Sequence, residues 1–584
     1  MFEKITYISD NTLNLKLNDQ LKSTNILNLH LIFEENERRI LGEIEEIDND
    51  IVKVHFLGEI TFNNFLPGII KKPSLESIIR FATQEEVNLL LGCEKKGNMQ
   101  IGYSPLYDNQ PIYSNINDLF SNHFAVFGNT GSGKSYGVAR LLQNVFSKSS
   151  FVPYKSNFFI FDSYGEYHNA FKDINKINSN FNFKYYTTNF NDTDGSILRI
   201  PLWLLGLDEM ALLLQADSHV QLPIIERMLK LVSIFAESSE QATKYKNHLI
   251  AKAIMTILYT NQTSSSKRND IFAILATCRT EQFNIDAPVM GLGYTRKFRE
   301  CFIINKDGEF TESILIAEYI TSFIDETLEQ YEASTTNFYT LNDLENALTF
   351  TLISEGLLRN EKMYSEAITL KVRLHSLAIS SSAAFFSYPN FINTENYISS
   401  LVTCQGSKKA QIVNFNLEDI DDKLAKIITK IYTKMLFDFT KKLKIRASIP
   451  FHIFLEEAHR YVQNDNDAYL LGYNIFDRVA KEGRKYGLIF NLISQRPVEI
   501  SETVISQCSN FIIFKMNHPR DLDYIKKMLP NISTEIVEKQ KSIQPGTCVA
   551  FGKAFKIPLI IKMELPNPEP HSSNCDVLNR WDIN

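Results

Sequence analysis

The feature that most constrains this chain is the segment "HFAVFGNTGSGKSYGVARLLQNVF", which begins at residue 123. An apolar strand, a glycine-rich turn and an amphipathic helix follow one another there, and the pattern GxxxxGK[ST] is matched at residues 128–135. Such a turn surrounds phosphates with backbone N–H groups at the positive end of a helix dipole. We therefore predict an ATP site in which Lys134 contacts the β- and γ-phosphates and the Ser135 hydroxyl binds Mg²⁺. The predicted nucleotide-binding residues are Gly128, Asn129, Thr130, Gly131, Ser132, Gly133, Lys134, Ser135 and Tyr136.

Length and composition indicate a globular protein of several domains. The chain has 584 residues, which is too long for one core and predicts two to four domains. No apolar run reaches the roughly 18 residues of a membrane span, and the start "MFEKITYISDN" lacks a secretory signal. Seven dispersed cysteines without a CxxC pair favour reduced thiols and a cytoplasmic location. The net charge of −7 argues against a basic coat for nucleic acid, although a basic channel stays possible.

Residues 1–110 read as a small β-barrel that serves assembly. Val52, Val54 and Phe56 alternate with polar residues, which is typical of a half-buried strand. A helix is expected over "SLESIIRFATQEEVNLLLG", residues 74–92. No catalytic constellation is visible in this region, which favours a structural role.

Two strands end in carboxylates that could complete the nucleotide site. Asp162 ends "FFIFD" soon after the glycine-rich turn, whereas Glu456 and Glu457 end "FHIFLEE" much later. Hydrolysis needs one carboxylate near the metal and another to orient the attacking water, so the adjacent pair is preferred. Gln495, which ends "GLIFNLISQ", is predicted to contact the γ-phosphate. The expected strand order is glycine-rich turn, acidic pair, glutamine, with Asp162 and Glu166 as accessory groups.

In combination these motifs resemble the HerA-type ATPases of the HerA/FtsK branch of P-loop motors. The matching segments are "HFAVFGNTGSGKS", "FDSYGEY", "FLEEAHRYV", "RVAKEGRKYGLIFNLISQRP" and "PGTCVAFGKAFKIPLIIK". The resemblance implies an α/β fold: a RecA-like P-loop ATPase core with an N-terminal β-barrel and a helical insertion. It also places Glu456 on the metal and Glu457 at the attacking water, although the commoner pair in these proteins is Asp-Glu.

The expected domain boundaries follow from this resemblance and from helical periodicity between the two halves of the core. We expect the barrel at 1–110, the core at 111–204 and 401–562, the helical insertion at 205–400, and an extended tail at 563–584. A polar loop is expected at 261–270, and a helix is expected to end at Lys442. Three alternate prolines in the tail favour an extended strap across a neighbouring subunit.

Basic residues before two of the strands have two possible roles each. In ring ATPases an arginine from a neighbouring subunit stabilises charge on the transferring phosphoryl group, and the resemblance gives this role to Arg484, with Arg478 as the next candidate. The alternative is an exposed arginine without a partner. The segment "KKLKIR", residues 441–446, is interpreted as a solvated helix end, with nucleic-acid binding as the alternative.

The function expected from the resemblance is that of a homo-hexameric ATPase that translocates or unwinds duplex DNA. Relatives of this type imply an effector partner encoded nearby, either a nuclease or a sirtuin-like NADase, in anti-phage defence. Three alternatives stay open: a DNA-end-processing translocase with a repair nuclease, an ATP-dependent assembly platform with little translocation, and a secretion-coupling ATPase.

Overall fold

The computed structural model describes residues 2–18, 21, 24–36, 38–62, 64–291, 293–331, 338–354, 361–528, 541–572, 577 and 581. The chain divides into two compact units. The motor unit comprises Met1–Ser196, Ile398–Asn464 and Ile475–Asn584, and the helical unit comprises Ile197–Tyr397 and Asp465–Asn474. Within the described ranges, no helix combines the length and the apolar character needed to cross a membrane.

The motor unit begins with a seven-stranded antiparallel sheet. Its strands pair in the order β1-β2-β5-β4-β3-β7, with β6 beside β5. Val52, Val54 and Phe56 on β5 are buried, as their alternation predicts. The elements are β1 (Phe2–Ile8), β2 (Thr12–Leu17), β3 (His30–Glu35), β4 (Arg38–Asp48), β5 (Ile51–Thr61), β6 (Asn64–Pro67), β7 (Ile78–Phe81) and α1 (Gln84–Leu91).

The helix expected over 74–92 is shorter than predicted, because its first half is the strand β7. Residues 78–81 pair antiparallel with β3. Thr83 and Glu86 then form a capping box, in which each side chain accepts a hydrogen bond from the other residue's backbone N–H, and this box starts α1. Arg80 on β7 donates to both Glu34 and Glu86, so strand and helix are tied together.

A second, twelve-stranded sheet forms the centre of the motor unit. In order across the sheet, its strands are residues 196–197, 183–187, 412–416, 158–162, 451–455, 488–494, 124–127, 510–514, 547–552, 559–562, 98–104 and 110–115. The chain first contributes β8 (Asn98–Ser104), β9 (Gln110–Asn115), α2 (Ile116–Phe120), β10 (Phe124–Phe127), α3 (Lys134–Ser147), β11 (Phe158–Asp162), α4 (His168–Phe171), β12 (Phe183–Thr187) and β13 (Ser196–Ile197).

The helical unit follows, and helices occur at most of the places where the sequence has helical periodicity. The expected polar loop at 261–270 is wrong beyond residue 263, because Thr263 caps a helix by accepting the N–H of Ser266. A short antiparallel hairpin, β14–β15, was not predicted. The elements are α5 (Leu207–Leu213), α6 (Gln221–Ala236), α7 (Glu240–Leu258), α8 (Ser264–Thr277), β14 (Pro288–Gly291), β15 (Tyr294–Lys297), α9 (Ser313–Thr321), α10 (Leu341–Ser354), α11 (Glu361–Ile379) and α12 (Thr394–Leu401).

The rest of the chain completes the large sheet. The helix expected to end at Lys442 does end there. The elements are β16 (Ile412–Asn416), α13 (Asp422–Lys442), β17 (Phe451–Leu455), α14 (Asp467–Leu471), α15 (Ile475–Tyr486), β18 (Leu488–Ser494), α16 (Glu502–Ser506), β19 (Asn510–Phe514), α17 (Pro519–Met528), β20 (Thr547–Gly552) and β21 (Leu559–Lys562). The fold is the α/β class predicted, an ATPase-type core with an N-terminal antiparallel sheet and a helical unit.

Seven neighbouring strands of the large sheet run parallel, from β12 at one side to β19 at the other. Their carboxyl ends therefore meet along one edge, at residues 127, 162, 187, 416, 455, 494 and 514, which we call the carboxyl edge. Their amino ends meet along the opposite edge, which we call the amino edge. In open parallel sheets, ligands bind at the carboxyl ends of the strands, so the carboxyl edge is where a site is expected.

Candidate functional site

Four consecutive strands bring the predicted site residues to one stretch of the carboxyl edge. The order is β11, β17, β18, β10, which carry Asp162, the acidic pair, Gln495 and the glycine-rich turn respectively. The glutamine strand, and not the acid strand, is thus the neighbour of β10. The expected order of the last two strands is wrong, because chain order does not determine the position of a strand in a doubly wound sheet.

The glycine-rich turn needs its glycines for backbone conformation and for space. Gly131 and Gly133 have φ values of 73° and 95°, a left-handed region that other residues rarely adopt. A Cβ on Gly133 would lie 2.8 Å from the backbone nitrogen of Gly546, whose N–H donates to the Ser132 carbonyl at 3.0 Å. Residues just before β20 therefore support the turn from outside, a contact that the sequence did not reveal.

Lys134 and Glu457 form a buried ion pair. The Lys134 Nζ donates to Glu457 Oε1 at 3.1 Å, and both side chains are about 6% exposed. Burial alone would raise the pKa of Glu457, but contacts with His459 and Lys134 lower it below its usual value. Glu457 also adopts a left-handed conformation, with φ 49°, which costs about 1–2 kcal/mol for a residue with a side chain. Such strain is typical of functional sites.

Glu456 is fully buried beside this pair, and its pKa is shifted in the opposite direction to that of Glu457. Its Oε2 accepts a hydrogen bond of 2.7 Å from the Tyr167 hydroxyl, and its carbonyl accepts one of 2.8 Å from Ser163. Burial raises the pKa of Glu456 to about 8, although the nearby Lys134 charge opposes this shift. A cation next to the carboxylate would restore the ionised form. The environment of Glu456 therefore favours its ionised form only when a cation lies beside it.

Asp162 is a structural carboxylate that holds the loop bearing Tyr167. It accepts backbone N–H groups of Glu166 and Tyr167 at 3.1 and 2.9 Å, and the Asn414 amide at 3.1 Å. Complete burial raises its pKa to about 6. Its oxygens are thus used within the protein, which supports an accessory rather than a catalytic role. Glu166 has a buried Oε2 that lacks a hydrogen-bond partner among the described residues.

His459 links the acidic pair to the glutamine strand. Its Nδ1 lies 3.1 Å from Glu457 Oε2 and forms a hydrogen bond of 3.0 Å with Ser494 Oγ, at the end of β18. The next residue, Gln495, accepts a hydrogen bond of 2.8 Å from the Thr130 hydroxyl in the glycine-rich turn. Sequence reasoning missed His459, although it stands only two residues after the acidic pair.

The arrangement fits a nucleotide and a magnesium ion. Ser132 Oγ and Glu457 Oε2 are buried oxygens without an aligned hydrogen-bond partner in the described residues, so each can take a bond from a ligand. Ser135 is the second residue of α3, directly after Lys134. No cluster of three or more metal-binding side chains occurs in the described ranges. Mg²⁺ in nucleotide sites takes one or two protein ligands and completes its shell with phosphates and water, as Ser135 and Glu456 would allow.

The two candidate arginines lie on α15, and Arg484 is at the amino edge. Its Nη1 donates to the side chain of Asn122, just before β10, at 2.9 Å. The sheet thus separates Arg484 from the glycine-rich turn of its own chain. Arg478 stacks on the Phe437 ring at 5.8 Å and lies 3.8 Å from Glu482. The structure does not bring either arginine together with Lys134.

The tail lies along α3 of its own chain. The Gln143 amide donates to the carbonyl of Pro568 and accepts the N–H of Asn567, both at 2.9 Å. Tyr136, the last predicted residue of the turn, donates its hydroxyl to Glu569 at 3.2 Å. The prediction of a strap across a neighbour is therefore wrong for residues 564–571. Residues 573–576, 578–580 and 582–584 lie outside the described part.

The chain is similar in sequence to proteins of the HerA type. Residues 99–286 match the family model "Helicase HerA, central domain". The DNA double-strand break repair helicase HerA of Sulfurisphaera tokodaii is 30% identical over 28% of this chain and 34% of its own length. The protein of the same name from Sulfolobus acidocaldarius is 22% identical over 94% of this chain and 85% of its own. Among solved structures, VirB4 of Thermoanaerobacter pseudethanolicus has a TM-score of 0.42 at 11% identity over 81% of this chain and 97% of its own, too low for an inference.

The fold and the glycine-rich turn that leads from β10 into α3 are those of the P-loop class of proteins. Within that class the chain is similar to HerA-type proteins: the central-domain model matches residues 99–286, and HerA-named relatives that are 21–23% identical align along 90–94% of this chain. It covers only about a third of the length of the first two relatives and 78–92% of three others.

We predict that His459→Ala lowers turnover while nucleotide binding stays nearly unchanged. Without the imidazole, Glu457 loses a contact that fixes Oε2, and misplaced catalytic groups commonly cost about 10²-fold in rate. His459→Asn retains a donor at a similar position and should recover part of the loss. Steady-state ATPase rates and nucleotide titrations separate the two effects, with His375→Ala on the helical unit as the matched control. An equal loss of binding and turnover would assign His459 a structural role instead.

Proposed function

We propose that this chain hydrolyses ATP at the carboxyl edge and uses the energy to translocate or unwind duplex DNA. The observation that carries the proposal is the 3.1 Å pair between Lys134 and Glu457, which lie 323 residues apart in the chain. A carboxylate held beside the phosphate-binding lysine, with one buried oxygen open to a ligand, is what activation of a water molecule requires. The repair-helicase names of the relatives support DNA as the substrate.

In this proposal each residue of the site has a separate role in ATP hydrolysis. When ATP binds, Lys134 leaves Glu457 and contacts the phosphates instead. Glu457 Oε2 then orients the attacking water and accepts its proton. Glu456 and the Ser135 hydroxyl are the residues that would hold Mg²⁺, which neutralises phosphate charge when bound. Gln495 follows β18 and accepts a hydrogen bond from Thr130. Its contact with the γ-phosphate would therefore link the nucleotide to that strand.

Glu457→Gln tests this assignment. The amide keeps the shape of the side chain and one acceptor for Lys134, so ATP should bind with nearly parental affinity. It cannot accept a proton, so turnover should fall by about 10²–10⁴-fold. The measurement pairs ATP titration with phosphate release, and Glu499→Gln, an exposed residue of the same unit, serves as the control. Hydrolysis by Glu457→Gln at the parental rate would remove Glu457 from the mechanism.

We further propose that the working form is a homo-hexameric ring in which Arg484 acts on the nucleotide of its neighbour. Arg484 and the glycine-rich turn lie at opposite edges of the sheet, separated by the length of β18, which is about 23 Å at ~3.3 Å per residue. One chain therefore cannot bring its own Arg484 to its own phosphates. A head-to-tail neighbour can, and such heterologous contacts close into rings.

Mixing two inactive variants distinguishes action in trans from a structural arginine. Lys134→Ala removes the phosphate contact and Arg484→Ala removes the proposed finger, so each alone should be nearly inactive. In randomly mixed rings about a quarter of the sites combine an intact lysine with an intact neighbouring arginine, and activity should return to about that level. Arg478→Ala, mixed in the same way, tests the other candidate. If no mixture regains activity, neither arginine acts across subunits.

The N-terminal sheet is proposed as the docking surface for an effector enzyme, a nuclease or a sirtuin-like NADase in anti-phage defence. The stretch 62–78 exposes several large apolar side chains, among them Ile70 at 99% and Phe62 at 90%. Exposed apolar groups in one short stretch are typical of protein interaction sites. A partner that buries these apolar side chains would explain why they are exposed in the isolated chain.

Paired substitutions test the docking surface. Phe62→Ser with Ile70→Ser should abolish co-purification with the product of the neighbouring gene, because the apolar contact area is lost. Assembly state and ATPase rate should stay parental, since both residues are exposed and distant in sequence from the ATP site. Ile314→Ser with Tyr259→Ser, which are also exposed but lie on the helical unit, is the control. A complex that survives the first pair and is broken by the second would place docking on the helical unit.

A further inference from the structure

An apolar cavity lies at the amino edge of the large sheet, at the opposite ends of the strands from the ATP site. Its volume is about 620 Å³, within the range of roughly 300–1,000 Å³ that is typical of small-molecule sites. Its lining residues come from α2, the end of α3 and the segments before β11, β17 and β18. Val145, Phe158 and Ile489 line the cavity although each is only 3% exposed, so the cavity reaches the interior of the motor unit.

Aromatic rings form much of the wall of this cavity. Phe120 and Phe158 line it, and the His452 ring contacts both, with centroids 5.5 and 5.2 Å away. Phe151 and Tyr154 add two exposed rings from the loop before β11. Such rings accept a further aromatic body in offset-stacked or edge-to-face geometry. The wall therefore favours a flat aromatic ligand.

His452 supplies a polar group within this apolar wall. Its side chain is 6% exposed, and its Nδ1 is buried without a hydrogen-bond partner among the described residues. Burial lowers the pKa of His452 to about 3, so the ring is neutral and offers one donor and one acceptor. Buried polar atoms in proteins are normally satisfied by protein, water or ligand. A hydroxyl group on a bound molecule would supply a partner that the protein itself does not.

The charged residues that line the cavity are both cations. They are Lys155 and Arg484, and both are exposed to solvent. No carboxylate is among the lining residues, all of which belong to the described part of the chain. In a chain whose net charge is −7, this local excess of positive charge favours an anionic ligand.

We infer that this cavity binds a small aromatic carboxylate that also carries a hydroxyl group. The aromatic body occupies the apolar interior, the carboxylate reaches Lys155 and Arg484, and the hydroxyl bonds to the His452 ring. Each feature of the ligand thus matches one feature of the wall. Duplex DNA does not fit this description, because its contacts with cations are made by phosphates and an apolar interior offers them no partner.

Three related probes test the three contacts in the full-length chain without ATP. They are a hydroxynaphthoate with its two polar groups at opposite ends of the ring system, the naphthoate that lacks the hydroxyl, and the methyl ester that lacks the charge. We expect the hydroxynaphthoate to bind most tightly, because it alone makes all three contacts. Its fluorescence and titration calorimetry measure the affinities. Equal affinity for all three probes would overturn the inference.

Three substitutions in the wall should each affect a different set of probes. Lys155→Ala should weaken binding of the two carboxylates about 3-fold and leave the ester unchanged. His452→Phe should weaken binding of the two hydroxylated probes about 5-fold and leave the naphthoate unchanged. Val145→Phe fills the cavity and should weaken binding of all three at least ~10-fold, because the aromatic body can no longer be buried.

Occupancy of the cavity also has a consequence for hydrolysis, and this consequence alone rests on the proposed function. A carboxylate held by Arg484 competes with the phosphoryl group on which that arginine is proposed to act. The hydroxynaphthoate should therefore lower the ATPase rate of the parental chain, whereas Val145→Phe should keep its rate when the probe is added. Binding without any effect on hydrolysis would support the site and contradict the role proposed for Arg484.

Controls separate binding in the cavity from general effects of charge and folding. Lys172→Ala removes an exposed lysine of the same unit outside the cavity and should leave all three affinities parental. If Val145→Phe does not fold, Lys155→Ala and His452→Phe decide, because each has a probe whose affinity should not change. The inference is overturned if neither substitution distinguishes between the probes. It is also overturned if self-association at higher protein concentration displaces the probe, because another copy then covers the cavity.

Discussion

The buried pair of Lys134 and Glu457 is the constraint on which the rest of the motor unit depends. Two charges withdrawn from water are stable only while each has the other, and removal of one partner of such a pair costs about 3–5 kcal/mol. The pair can form only if β10 and β17 end at the same height, with β18 between them. The register of the parallel sheet therefore determines whether Lys134 and Glu457 can form their ion pair. In the proposed function, ATP replaces Glu457 as the partner of Lys134, so nucleotide binding and the release of Glu457 would be one event.

Glu456, next to this pair, shows how one strand end can supply two carboxyls with different pKa values. Glu456 and Glu457 are adjacent in the chain, yet burial raises the pKa of the first to about 8 while His459 and Lys134 lower that of the second. Tyr167 stabilises Glu456 by donating a hydrogen bond, and Asp162 holds Tyr167 in place through the backbone. The local environment, not the residue type, therefore favours the neutral form of Glu456 and the ionised form of Glu457.

Much of this could be predicted from the sequence because local signals are strong at the carboxyl edge. The glycine-rich turn, the acidic pair and Gln495 each follow a buried apolar strand, and parallel strands place such residues together. The partners of these residues could not be predicted. Asn414 and Gly546 come from distant segments, and their roles depend on strand order, which the chain sequence leaves open. The strand at 78–81 was missed for a similar reason, because its pairing with β3 overrides a helical pattern.

The polarity of the parallel sheet also bears on the proposal that Arg484 acts on a neighbouring copy. All carboxyl ends of the parallel strands share one edge, which carries the glycine-rich turn and the acidic pair, and all amino ends share the other, which carries Arg484. Within one chain these two edges cannot meet, because a strand is rigid and its ends stay apart. In the proposed ring, in which copies pack head to tail, the two edges would meet at every interface. The proposed ATP site would then be completed by repetition of the chain rather than by a further domain.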